Sequence, residues 1–201
     1  MKKLNIAFLA SHGGSNMQAI IDSINQGKLD VNPAVVISNN SNSKALQRAK
    51  NEHIPYYHLS ETTHLDADKL DTEIVNILKK YQVDLVILAG YMKKIGEKTL
   101  KTFQNRILNI HPALLPKHGG KGMYGMRVHE AVLSSGDKQS GVTVHIVDGQ
   151  YDNGAILNQA KVDVLVDDTP DTLAARVLAC EHRLYAETIG NIVSGKIVLP
   201  P

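Results

Sequence analysis

With 201 residues and a formal net charge of +2, the chain is long enough for one self-sufficient core and too weakly charged to suggest a nucleic-acid surface. Apolar residues make up 43% and charged residues 21%, which excludes disordered and fibrous classes, and no apolar run is long enough to span a bilayer. The single cysteine, Cys180, excludes an internal disulfide and fits a reducing compartment, so a cytoplasmic location is expected.

Met1-Lys2-Lys3 ahead of an apolar run has the order of a signal peptide, but the run is short and passes into a glycine turn. Residues 3–10 therefore read as a buried strand, followed by a helix over residues 15–26. The pattern continues with a strand over 33–39, a helix over 44–52, a short strand over 56–59 and a helix over 66–81. A buried strand over 84–89, a short helix over 97–103 and a strand over 106–110 complete the alternation. The pattern then changes. A glycine-rich loop over 117–125 leads to a helix over 127–134, two alternating segments (141–148 and 155–164) flank turn material over 149–154, and Thr169-Pro170 opens a last helix to about residue 192. The expected fold class is α/β: a Rossmann-like, mostly parallel twisted sheet flanked by helices, with an antiparallel C-terminal strand pair. A single domain over 1–201 is expected.

Three segments carry chemistry. Asn109 and His111 are two residues apart on a strand and share a face, with Pro112 stopping the strand beside them. An amide and an imidazole there can converge on one reacting group, at the strand end where open α/β sheets place ligands. A carboxylate hydrogen-bonded to His111 would favour its protonated form and fix its tautomer. The turn after Thr143-Val144-His145 offers Asp148 and Asp152, of which Asp152 in Asp-Asn-Gly looks better placed; the bland alternative for either is bonding to its own turn. Ser11-His12-Gly13-Gly14-Ser15-Asn16, between the first strand and helix, suits an anion at a helix N-terminus, or is a tight turn capped by Ser15 or Asn16. Ala89-Gly90-Tyr91-Met92-Lys93-Lys94-Ile95 suits an apolar wall for a flat ring, or a loop with solvated lysines. The nine histidines show no metal-ligand spacing, so no metal is expected, and His53, His58, His64 and His129 read as surface or packing residues. No G-x-S-x-G elbow supports a serine hydrolase.

Taken together, these segments resemble the phosphoribosylglycinamide formyltransferase family of folate-dependent purine enzymes. The likeness spans almost the whole chain: Gly14-Ser15-Asn16, Leu88 to Met92, Asn109-Ile110-His111-Pro112, Gly141 to His145, Asp152-Asn153-Gly154 and Glu181-His182. Asn-x-His-Pro with a later Asp-x-Gly is specific to the formyltransferase superfamily. The resemblance implies transfer of the formyl group of 10-formyltetrahydrofolate, a co-substrate, to the amine of glycinamide ribonucleotide. Residues 1–110 would form the nucleotide and phosphate half, and 111–201 the remainder of the folate and catalytic site. Gly14, Ser15 and Asn16 would hold the substrate phosphate, and Glu181 would lie near the glycinamide. Leu88, Tyr91, Met92, Lys93, Lys94, Ile95, Asn109 and Val147 would line the folate pocket, with Lys94 pointing outward. Asn109, His111 and Asp152 would be catalytic, supported by His145, with Asp152 raising the His111 pKa.

The chain departs from the family in three places. His12 stands where family members commonly carry glycine. Lys93-Lys94-Ile95 replaces an Arg-Ile-Leu or Arg-Leu-Ile run. The loop over 116–125 differs from the common Pro-Lys-Tyr-Pro-Gly continuation and is expected to be a mobile cover. Small-molecule substrates, no membrane and no nucleic acid are the implied partners, in a monomer or homodimer. The alternatives are 10-formyltetrahydrofolate hydrolase, which usually carries an N-terminal regulatory domain, and a non-catalytic folate or nucleotide module. Methionyl-tRNA formyltransferase is disfavoured by weak charge and the expected lack of a tRNA-binding domain.

Overall fold

Apolar runs alternating with amphipathic segments build one sheet with helices on both faces, in a computed structural model describing residues 3–201. The first half comprises β1 (Leu4–Leu9), α1 (Ser15–Asn25), β2 (Val31–Ser38), α2 (Lys44–Asn51), β3 (Tyr56–His58), α3 (Ala67–Lys80) and β4 (Leu85–Leu88). It continues with α4 (Glu97–Thr102), β5 (Ile107–His111), α5 (Met126–Ser134), β6 (Gln139–Ile146), β7 (Ile156–Asp163) and α6 (Pro170–Val193). The strand order is β3-β2-β1-β4-β5-β6-β7. Pairings from β3 to β5 are parallel, whereas β5–β6 and β6–β7 are antiparallel. This is the mostly parallel α/β sheet with an antiparallel end that the sequence predicts.

Two local predictions need correction. β2 begins at Val31, before Pro33; proline gives the ladder no N–H, and the β1–β2 register shifts between Ile6 and Ala7, opposite Pro33 and Val35. The cap of α1 is Gly14 at φ 64°, not Ser15 or Asn16, and no side chain caps that end. Glycine suits this left-handed conformation, and a Cβ there would sit 2.9 Å from Ala45 Cβ. The start of α6 follows the prediction: Pro170 opens it, Thr169 Oγ1 accepts the Thr172 N–H, and Thr172 Oγ1 accepts the Thr169 N–H.

The two-residue period of the strands sorts side chains into two apolar layers. Ile6 and Phe8 of β1, Leu108 and Ile110 of β5, and Val142, Val144 and Ile146 of β6 share one layer with Met17, Leu184 and Tyr185. Ala7, Leu9, Val86, Leu88 and Ile107 face the other way, against Ile74, Leu78 and Phe103. Asn109 and His111 lie two and four residues beyond Ile107 and so continue the second face. The fully buried Tyr185 hydroxyl is shared between the carbonyls of Leu88 (3.2 Å) and Leu108 (2.9 Å), tying α6 to the strands that carry the site. Among the described residues, no helix is long and apolar enough to cross a membrane.

Candidate active site

The sheet order reverses between β1 and β4, and in open α/β sheets the crevice beyond such a switch point is where ligands bind. The loops leaving β1 and β4 meet there. The Ser11 N–H donates to the Gly90 carbonyl, its hydroxyl donates to Asn39 Oδ1 at 2.5 Å, and that hydroxyl accepts the Met92 N–H at 2.7 Å. Ser11 thus ties the ends of three parallel strands, a role that motif reading did not single out.

Pairing of β5 with β6 sets Asn109 opposite His145 and His111 opposite Thr143. Asn109 Nδ2 donates to His145 Nε2 at 3.1 Å, and His145 Nδ1 donates to the Ile146 carbonyl at 2.9 Å. These two contacts define the His145 tautomer. Asp152, in the turn between β6 and β7, aims Oδ2 at His111 Nδ1 (3.5 Å) and Oδ1 at His145 Nε2 (3.6 Å). Asn109, His111, His145 and Asp152 therefore converge. Asp148 has the bland role: it accepts its own turn's Gln150 N–H and the Asn153 side-chain amide. Thr143 fixes the chain after His111 by donating to the Ala113 carbonyl and accepting the Leu115 N–H.

The loop over 117–125 supplies two backbone groups that sequence reasoning missed. His111 Nε2 donates to the His118 carbonyl at 2.8 Å, and the Gly120 N–H donates to Asp152 Oδ2 at 2.9 Å. Both sit on a segment docked over these converging side chains. His118 (φ 57°) and Asp152 (φ 55°) adopt the left-handed conformation, which costs a non-glycine residue roughly 1–3 kcal/mol and persists only where surrounding contacts hold it.

Burial decides the charge of His111. Desolvation lowers its pKa below the ordinary imidazole value and outweighs the opposing pull of the Asp152 carboxylate. The expected net rise is thus corrected: Asp152 does pull upward, but a ring 3% exposed loses more by leaving water. Desolvation pushes Asp152 up, yet the nearby His145 and His111 rings and the Gly120 N–H bring it below the usual carboxylate value. His129, on α5, takes the packing alternative: it is buried, its Nδ1 has no partner among the described residues, and burial with the nearby His111 lowers its pKa.

At the other end of the crevice, Asn16 Nδ2 donates to Glu181 Oε2 at 2.9 Å, both side chains being buried. Asn16 Oδ1 is buried and has no partner among the described residues. Arg48 Nε donates to the Gly13 carbonyl, bracing the loop before the uncapped N-terminus of α1. His12 is exposed there. Burial raises the Glu181 pKa to about 7. An acid raised in the folded state adds stability at low pH that is lost as pH rises through about 7. With each tenfold change in proton affinity worth about 1.4 kcal/mol, the loss by pH 8 is roughly 3 kcal/mol. Glu181→Gln is expected to flatten the change in urea midpoint between pH 5 and pH 8; an unchanged slope refutes this.

Of the residues expected to line a ring pocket, Leu88 and Ile95 are buried in the second apolar layer, with Tyr91 and Val147 packed against it. Burial raises the Tyr91 pKa to about 12. Met92 is 49% exposed, Lys93 pairs with Glu61, and Lys94 is exposed and outward. The structure thus gathers an apolar floor with an exposed thioether and a basic rim. Among the described residues, no group of three metal-ligating side chains is placed to hold an ion.

An amide donor, a buried imidazole and an orienting carboxylate define an acyl-transfer type of site, one that stabilises an oxyanion and moves a proton. Residues 4–189 match the formyl transferase family. The chain is 42% identical over 197 residues to the chloroplastic phosphoribosylglycinamide formyltransferase of Arabidopsis thaliana, covering 98% of this chain and 68% of that protein. The crystal structure of glycinamide ribonucleotide transformylase 1 from Symbiobacterium toebii aligns with a TM-score of 0.91 at 38% identity, over 98% of this chain and 91% of that one. A formyltetrahydrofolate deformylase from Pseudomonas syringae shares the fold at a TM-score of 0.87 and 22% identity, over 99% of this chain and 64% of that one. The chain belongs to the formyl transferase family, and relatives above 30% identity include phosphoribosylglycinamide formyltransferases.

Proposed function

We propose that the chain transfers the formyl group of 10-formyltetrahydrofolate to the amine of glycinamide ribonucleotide, a step of de novo purine biosynthesis, in the cytoplasm. The observation that carries this reading is the convergence of Asn109, His111 and Asp152 in a chain of this family. The Gly14-Ser15-Asn16 backbone holds the phosphate, and Glu181 with Asn16 binds the rest of the ribonucleotide. Leu88, Tyr91, Met92, Lys93, Ile95, Asn109 and Val147 receive the folate, while Lys94 contributes only charge at the rim.

The amine attacks the formyl carbon directly, and negative charge develops on the formyl oxygen. The Asn109 amide meets that charge at once, and the His111 ring joins it as it takes up a proton, because the one hydrogen of the neutral ring is held by the His118 carbonyl. His111, held neutral by burial, gains basicity as the oxyanion forms, because the new negative charge and Asp152 both favour imidazolium. Asp152 orients the ring and assists proton movement from the attacking amine to the departing folate nitrogen. His145 holds Asn109 and Asp152 in place. No covalent enzyme intermediate is required.

The test incubates purified protein with formyl-folate and follows release of tetrahydrofolate with and without glycinamide ribonucleotide. Release that requires the amine is expected. Release with water as the sole acceptor would assign the chain to the hydrolases, and tight folate binding without release would make it a binding module.

A further inference from the structure

The Asp137 carboxylate lies just beyond α5 and takes no direct part in the site, yet it grips the loop that does. Its Oδ2 accepts a bond from His118 Nε2 at 2.7 Å, and its Oδ1 accepts one from Lys117 Nζ at 2.5 Å. These contacts hold the carboxylate well below the usual range. Surface ion pairs as such contribute little to stability. This one has a different consequence, because the gripped residue faces the catalytic imidazole through its main chain.

His118 stands at φ 57°, and that conformation sets the direction of its carbonyl. The carbonyl takes the Nε2 hydrogen of His111, so the ring keeps its Nδ1 side toward Asp152. Two residues on, the Gly120 N–H meets Asp152 Oδ2. Gly119 between them passes so close that a Cβ would overlap the Leu115 side chain and lie 3.3 Å from Asp152 Cβ. One three-residue segment therefore aims both catalytic side chains. It is anchored on one side by the Leu115 N–H on Thr143, and on the other by the His118 ring on Asp137.

We propose that Asp137 is a positioning residue for formyl transfer: by holding the His118 ring it keeps the His118 carbonyl on His111 Nε2 and the Gly120 amide on Asp152. The kinetic part of this inference rests on the proposed formyl-transfer reading; the structural part does not. Asp137→Ala removes the grip, and His118→Phe removes it while keeping a flat ring. His118→Gln retains a side-chain N–H donor toward Asp137.

The experiment records the ring nitrogens of His111 by 15N NMR of the full chain and compares kcat with KM in each variant. Asp137→Ala and His118→Phe are expected to shift the His111 signals away from the Nε2–H tautomer. They are also expected to lower kcat roughly ten- to hundredfold, with each KM changed much less, as for a small misplacement of a reacting group. His118→Gln is expected to recover both the signals and most of the rate. Wild-type His111 signals in folded Asp137→Ala or His118→Phe overturn the proposal, and so does a shifted tautomer with wild-type kcat. Shifted signals in a protein that transfers no formyl group support the positioning and overturn the functional reading instead.

Discussion

His111→Ala is expected to lower kcat by about 10²–10³, the loss typical of removing one oxyanion donor. Asn109→Ala should cost a similar factor. Both side chains sit on the same face of β5, at adjoining points of one cluster. The double variant should therefore cost much less than the product of the two, because groups that act as a unit are not additive. Folate affinity, measured by equilibrium binding, should change little in His111→Ala. Turnover within threefold of wild type in either single variant would reject the assignment.

Asp152→Asn separates orientation from charge. The amide can still accept the Gly120 N–H, but it no longer favours imidazolium. The sign follows directly: burial already holds the His111 pKa below its ordinary value, and Asp152 opposes that shift. Removing the opposing charge moves the His111 titration to lower pH still. An NMR titration of His111 reads this without reference to activity, and an upward shift contradicts the electrostatic account.

Gly154→Ala is expected to destabilise the fold and disable the site together. A Cβ at residue 154 would overlap the Ile146 carbonyl oxygen and stand 2.8 Å from the Ile146 carbonyl carbon. These are backbone atoms of β6, which cannot swing aside as a side-chain tip can. The Ile146 N–H also bonds the Ala155 carbonyl next door, so relief must distort the β6–β7 connection. The expected cost is about 3 kcal/mol, near the upper end for overpacking. Residue 154 lies two positions from Asp152, so the carboxylate moves with the turn and kcat should fall as well. Gly190→Ala in α6 is the control. Its Cβ would meet Leu29 at an ordinary 3.7 Å, and alanine there should stabilise by about 0.4–1 kcal/mol. Thermal unfolding distinguishes the pair; equal midpoints would refute the steric argument.

The parallel strands, the helices between them and the antiparallel end were legible because hydrophobic periodicity is a local signal. The correction at β2 came from Pro33, which marks a register shift inside a strand as readily as a strand start. The uncapped start of α1 was missed because Gly14 takes a left-handed turn against Ala45, a contact thirty-one residues away. The convergence of Asn109 with His111 was legible, since both follow from one strand's alternation. Glu181 entered through resemblance alone, and the structure now puts it in hydrogen-bond contact with Asn16 of the loop after β1.

The sequence by itself determined the order of elements, the shared face of Asn109 and His111, and the residues able to serve an oxyanion and an anion. The preference for Asp152 over Asp148 came from its Asp-Asn-Gly turn and the family resemblance; only the tertiary structure showed what each faces, His111 for Asp152 and its own turn for Asp148. It also decided that the loop over 117–125 contributes a carbonyl and an amide to the site, which backbone groups cannot announce in a residue code. Finally, it reversed the expected charge balance of His111. The carboxylate partner is visible in a sequence, but the water a ring loses depends on everything folded around it.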